Sequence, residues 1–161
     1  MPKKLLRILG INPGARYLGF ALFYGHELHD WGVKVIKGRW SREKMRRIMR
    51  VVCRLIEHYA PNVVVIKKLH PSRSSMNLKR LVAQIEGLSK RRRLRVCQYS
   101  ISDLEALLSP EEKKSRKGLA EIVAQKYSEL SPELTKEKSH KNPYYLRMFE
   151  AVALGIMVAV K

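Results

Sequence analysis

The sequence predicts an α/β fold: a mixed five-stranded sheet whose first three strands are antiparallel and whose others are joined by parallel crossovers, flanked by helices. Three observations predict it. Near the N-terminus two glycine-bearing turns, Asn12-Pro13-Gly14 and Tyr24-Gly25-His26, separate three short apolar runs in hairpin style. Further along, strand-length apolar runs alternate with stretches whose apolar residues recur at steps of three and four. The run 63–66 holds no polar residue, the pattern of a strand covered on both faces. A chain of 161 residues is one domain's worth, 1–161, and can bury a core without disulfides or structural metal.

Residues 5–11 and 17–23 read as the first two strands. Residues 28–36, with Trp31, Val33, Val35 and Ile36 at mostly alternating positions, form a third that closes at Gly38. Ser41 is placed to cap a helix whose apolar residues Met45, Ile48, Met49, Val52, Leu55, Ile56 and Tyr59 share one face, and Pro61 stops it. A fourth strand over 63–66 ends at Lys67. The Pro- and Ser-rich loop 70–75 leads into a second amphipathic helix over 76–92, with Leu78, Leu81, Val82, Ile85 and Leu88 on one face despite Gly87. A fifth strand over 94–99 follows, then one or two helical turns over 102–108 and a charged loop over 109–117. A helix over 119–127, a polar connection over 131–143 and a last helix over 144–160 complete the chain.

Lys and Arg number 33 against 14 Asp and Glu, a formal net charge of +19. Such a field attracts polyanions at long range, and nucleic acid is the first partner it selects. A membrane surface competes poorly, because the cations are spread along the chain rather than gathered beside an apolar anchor. The uncharged stretch 151–160 is also too short to span a bilayer, which takes about 20 residues. The basic start runs straight into a glycine turn without a secretory signal, so a cytoplasmic location is expected. Cys53 and Cys97 fall in apolar patterns without zinc spacing and read as reduced structural thiols.

The helix after Ser41 carries Arg42, Arg46, Arg47, Arg50 and Arg54 on its outer side, with few acids to pair them. Like charges at helical steps are destabilising by themselves, so an anionic partner explains this face better than solvation does. Lys90-Arg91-Arg92-Arg93 and Lys113-Lys114-Ser115-Arg116-Lys117 add two clusters. The second is a basic turn before a helix, where backbone N–H groups offer a phosphate seat.

The segment Gly10-Ile11-Asn12-Pro13-Gly14, followed by Gly19, resembles the first-strand signature of RuvC-type Holliday-junction resolvases, a G-I-D-P-G run, with the acid replaced. Three more segments fall in that family's order. Val63-Val64-Val65-Ile66-Lys67 stands where the strand usually ends in Glu, and Lys114-Ser115-Arg116-Lys117 stands at a basic turn before a helix. Met148-Phe149-Glu150-Ala151-Val152-Ala153-Leu154-Gly155 is similar to the family's last helix, M-F-D-A-V-A-L-G. The resemblance implies a ribonuclease H-like fold, a homodimer, branched or duplex DNA as partner, and work in DNA recombination and repair. It also implies carboxylates from the first strand, the fourth strand and the last helix that converge on divalent metal for phosphodiester hydrolysis.

Magnesium and manganese take hard oxygen ligands, and a pair of such ions stabilises both the attacking and the leaving oxygen. Here the positions matching the family's carboxylates read Asn12, Lys67 and Glu150, with Arg147 near a fourth acidic position one helical turn before the last. An ammonium has three donors and no acceptor, so Lys67 should abolish two-metal binding, and no cofactor is expected. A slip of one residue would put Lys68 in that role. Lys67 and Glu150 are either unrelated solvated charges or an ion pair across the former metal cleft. The pair is favoured, since a half-buried carboxylate needs a partner.

Contacts to nucleic acid are expected from Arg16, Arg42, Arg46, Arg50, Lys68, Arg73, Lys79, Arg91, Arg92, Lys113, Lys114, Arg116 and Lys117. His70, Tyr99, Tyr144 and Tyr145 either stack on bases or pack in the protein, and the loop 70–75 matches the place of the family's junction wedge. His58 and His140 read as surface residues. Three functions compete. The expected one is a catalytically impaired resolvase-like protein that binds branched or structured DNA, or RNA. The second is an active magnesium- or manganese-dependent junction endonuclease using Glu150 with recruited acids such as Asp30, Asp103 or Glu86. The third is a dimerising scaffold for an active partner, joined through the apolar face of the second helix.

Overall fold

The turns and apolar runs become definite elements in a computed structural model of the chain, which describes residues 6–72, 74–106, 116–139 and 144–159, with the backbone alone at 116–117, 137–139 and 144. The order is β1 (Arg7–Asn12), β2 (Tyr17–Tyr24), β3 (Glu27–Val35), α1 (Arg42–Tyr59), β4 (Val63–Lys67), α2 (Met76–Arg91) and β5 (Arg95–Tyr99). Then come α3 (Ile101–Glu105), α4 (Arg116–Lys126), a 3-10 turn (Ser128–Leu130), α5 (Ser131–Ser139) and α6 (Tyr144–Ala159). The sheet runs β3-β2-β1-β4-β5, with β1/β2 and β2/β3 antiparallel and β1/β4 and β4/β5 parallel. Ser41 and Ser75 cap α1 and α2 by accepting from the Lys44 and Leu78 amides.

Strand residues alternate between the two faces. Leu9, Ile11, Val64 and Ile66 meet Ile48 and Val52 of α1 and Leu81 and Ile85 of α2. Ile8, Val63 and Val65 join the opposite cluster, with Leu119 and Val123 of α4 and Phe149 and Val152 of α6. Three glycines let α6 lie directly on the sheet. A β-carbon at Gly10 would overlap the Ala151 carbonyl, one at Gly19 the Arg147 carbonyl, and one at Gly155 the Phe23 ring.

Three sequence expectations are corrected. Residues 131–139, expected within a polar connection, form α5. Pro132 sits in its first turn, where the missing N–H has no helical acceptor to lose. The charged loop expected to reach residue 117 ends earlier, because α4 begins at Arg116 and runs through Gly118. The apolar face of α2 is no open seam: Leu81, Val82 and Ile85 are buried and Leu78 and Leu88 pack on the same cluster, leaving Met76 as that helix's exposed large apolar residue. Leu5, residues 107–115, residues 140–143 (including His140) and residue 160 lie outside the described residues. No helix of the described residues is long and apolar enough to cross a membrane.

Candidate functional site

β1 and β4 are parallel neighbours with Ile11 opposite Ile66, so Asn12 and Lys67 stand at adjacent strand ends. Asn12 also pairs with Gly19, the glycine that admits the α6 backbone at Arg147. That close approach carries Glu150 onto the two strand ends. Lys67 Nζ donates to Glu150 Oε2 at 2.6 Å, and Asn12 Nδ2 donates to the same oxygen at 2.9 Å. Glu150 is 1% exposed, Asn12 is 0% exposed, and the Lys67 side chain keeps 18% of its surface in solvent. The carboxylate is therefore sealed in protein while its ammonium partner reaches the rim.

Asn12 Nδ2 donates a further bond, 3.2 Å to the Arg147 carbonyl. Two acceptors on that side fix the amide orientation and leave Asn12 Oδ1 buried with no hydrogen-bond partner among the described residues. Arg147 Nη1 lies 3.5 Å from the Pro13 carbonyl, and its guanidinium sits 3.0 Å from where a Gly14 β-carbon would be. It lies against the β1–β2 turn. Lys68 is exposed, and its backbone amide donates to the Tyr99 carbonyl at 2.8 Å.

These residues do not fit a divalent metal. The Lys67 ammonium stands hydrogen-bonded on the carboxylate oxygen that a hard cation would need, and like charge repels such a cation. Among the described residues no three His, Cys, Asp or Glu side chains gather closely enough to hold one. The acids proposed as recruits are engaged elsewhere. Asp30 accepts from Tyr59, Asp103 completes the capping box of α3 with Ser100, and Glu86 accepts from Lys90 at 2.8 Å and Gln98 at 2.9 Å.

The cationic residues are only partly as expected. Arg46 and Arg50, expected to find few acids, reach Glu43 at 4.0 and 3.3 Å, and Arg92 reaches Glu57 at 3.2 Å. The pairs are exposed and hold little energy. Arg42 and Arg46 of α1 and Arg80 of α2 line a groove of about 590 Å³ with Trp40, Met45 and Met49, and Arg50 and Arg91 flank its continuation. Arg80 was not among the expected contacts, although its place opposite the Leu78–Leu81 side was readable from helical spacing. Lys79 is turned into the chain, donating to the Pro71 carbonyl at 2.6 Å. Arg16 is exposed beside the Tyr17 ring. Tyr99 and Tyr145 pack on the core and His70 is exposed, accepting from the Ser72 amide. His58 is exposed, edge-on to Tyr59. Arg73, Lys113 and Lys114 lie outside the described residues, as do the side chains of Arg116, Lys117 and Tyr144.

A sheet ordered β3-β2-β1-β4-β5, with polar residues at the ends of its two central parallel strands under a last helix, defines a ribonuclease H-like α/β protein. Residues 8–128 match the family model for crossover junction endodeoxyribonuclease RuvC, and the chain belongs to that family. The match takes in Asn12 and Lys67 and stops before Arg147 and Glu150. A crossover junction endodeoxyribonuclease RuvC from Hydrogenovibrio crunogenus is 33% identical over 70 residues, 41% of this chain, and the chain spans 41% of that relative's length. Among solved structures, Thermus thermophilus RuvC in complex with Holliday junction substrate aligns with a TM-score of 0.69 at 15% identity, covering 94% of this chain and 90% of that one. Fowlpox virus resolvase with substrate Holliday junction DNA gives 0.66 at 17% identity, over 96% and 97%. The yeast mitochondrial Holliday junction resolvase Ydc2 gives 0.65 at 16%, over 99% and 80%. All three likenesses establish the fold.

Proposed function

We propose that this RuvC-family chain binds branched or structured nucleic acid, DNA before RNA, and does not hydrolyse it. The observation that carries the reading is the Lys67 ammonium 2.6 Å from Glu150 Oε2, an internal cation at the convergence of β1, β4 and α6. Support for a polyanionic ligand comes from the net charge of +19 and from the arginines along the α1/α2 groove. Support for junction DNA comes from the family and from the Holliday-junction complexes of its structural neighbours. Affinity then arises from phosphate neutralisation and carries little sequence preference.

The test pairs binding with cleavage. A labelled four-way junction should bind with an affinity that falls steeply with salt, and should stay intact through a magnesium or manganese titration. Metal-dependent cleavage that vanishes in Glu150→Ala would establish a working nuclease and overturn the reading. The double variant Asn12→Asp/Lys67→Glu should gain manganese binding in calorimetry, since it exchanges a donor and a cation for two carboxylates.

A further inference from the structure

Beside the altered centre, at the same end of the sheet, residues 15–16, 37–40 and 44 enclose a second concavity lined by Arg16, Lys37, Arg39, Lys44 and Trp40. The hairpin register creates it: Tyr17 pairs with Val35, and the Ile36 amide bonds the Arg16 carbonyl at 2.8 Å. Lys44 is 3% exposed, and its Nζ donates to the Gly38 carbonyl at 2.5 Å. Arg47 clips the preceding residue, donating from Nη2 to the Lys37 carbonyl at 2.9 Å. Among the described residues no carboxylate lies within ion-pair distance of Arg16, Lys37, Arg39, Lys44 or Arg47. Burial first, then the Arg47 and Arg16 guanidinium groups, hold the Lys44 ammonium below the ordinary lysine range.

Five cations around one turn, one of them buried, repel one another unless an anion joins them. The two turn carbonyls are already taken by Lys44 and Arg47, so the ligand these groups lack is an acceptor with full negative charge. Trp40 adds a second chemistry. Its half-buried ring lines both this pocket and the α1/α2 groove, with Lys44 Nζ 5.8 Å from the ring centroid. An aromatic face beside a phosphate seat is how proteins hold unpaired nucleotides, whose bases are free to stack.

We infer that the pocket of Arg16, Lys37, Arg39 and Lys44 seats one backbone phosphate of a nucleic acid, and that Trp40 stacks on the adjoining unpaired base. The inference rests on the nucleic-acid-binding reading above and deepens it. It assigns the chain a preference for unpaired nucleotides, at a place separate from the Asn12–Lys67–Glu150 network.

The chain has two tryptophans, so Trp31→Phe leaves Trp40 as the sole tryptophan, read by exciting at the red edge where tyrosine does not absorb. Oligothymidine added to this variant should quench Trp40 saturably. In anisotropy, Trp40→Leu should weaken oligothymidine binding by about tenfold, the scale of one stacked base, and duplex binding by much less. Arg16→Ala/Arg39→Ala, both at exposed positions, should weaken both ligands together. Normal DNA binding with no Trp40 quenching and an unchanged Trp40→Leu affinity overturns the inference and leaves the binding reading standing. So does equal quenching by base-free polyphosphate at matched phosphate concentration. Failure of the wild-type chain to bind any nucleic acid overturns the function proposed above, and this inference with it.

Discussion

Removing Lys67 and removing Glu150 should differ in cost. Lys67→Met takes the ammonium at 2.6 Å away from a carboxylate that is 1% exposed. A broken buried ion pair of this kind costs about 3 kcal/mol or more. Glu150→Gln strands an ammonium that already touches solvent and keeps a neutral acceptor beside it, so its cost should be about 1 kcal/mol, the scale of an ordinary hydrogen bond. Urea denaturation of the two variants should show this order, and the reverse order would mean that the other partners of Glu150 hold its charge without Lys67. Cys53 offers a pH test. Burial, then its hydrogen bond to Glu57 and that carboxylate's charge, raise the thiol above its usual range, outweighing Arg92. A raised thiol stays protonated to higher pH, so iodoacetamide should alkylate Cys53 with an inflection above that of a free cysteine. Glu57→Gln should move that inflection down.

Helix α6 delivers Glu150 only because the sheet beneath it lacks β-carbons at two places. Gly19→Ala would drive a methyl into the Arg147 carbonyl and should destabilise the chain by about 3 kcal/mol, the upper range for overpacking, as measured by thermal or urea unfolding. The same substitution at Gly87, where the nearest atom is the end of the Arg91 side chain at 3.4 Å, should be neutral or mildly stabilising. Asn12, Lys67 and Glu150 were legible through the resemblance of their segments, Gly10 to Gly14, Val63 to Lys67 and Met148 to Gly155, to the family's first strand, fourth strand and last helix. Helix α5 was not legible because Leu134 is its one apolar residue, too few to set a period. Leu130 was passed over for a related reason: it is fully buried from a three-residue turn that no helical or strand spacing describes. The pocket around Lys44 was hidden because it joins three segments that only the β2–β3 register and the α1 cap bring together.

Over the whole molecule, excess positive charge is unevenly relieved. Glu43 serves Arg46 and Arg50, Glu57 serves Arg92, and Glu86 serves Lys90, while Arg42, Arg80 and Arg91 have no carboxylate within ion-pair distance among the described residues. Those three arginines flank the α1/α2 groove, on the sheet face opposite α6, so they test whether that face meets phosphate independently of the altered centre. Each phosphate a protein neutralises adds about −0.9 to the slope of log affinity against log salt on duplex DNA. If the face lies on the backbone, Arg42→Ala/Arg80→Ala/Arg91→Ala should flatten that slope by about 3 and weaken all sequences alike. A slope equal to that of the wild type would remove α1 and α2 from the interface and leave phosphate contact to the strand-end side of the sheet. Fluorescence anisotropy over a series of salt concentrations, with one junction and one scrambled duplex, separates the two outcomes.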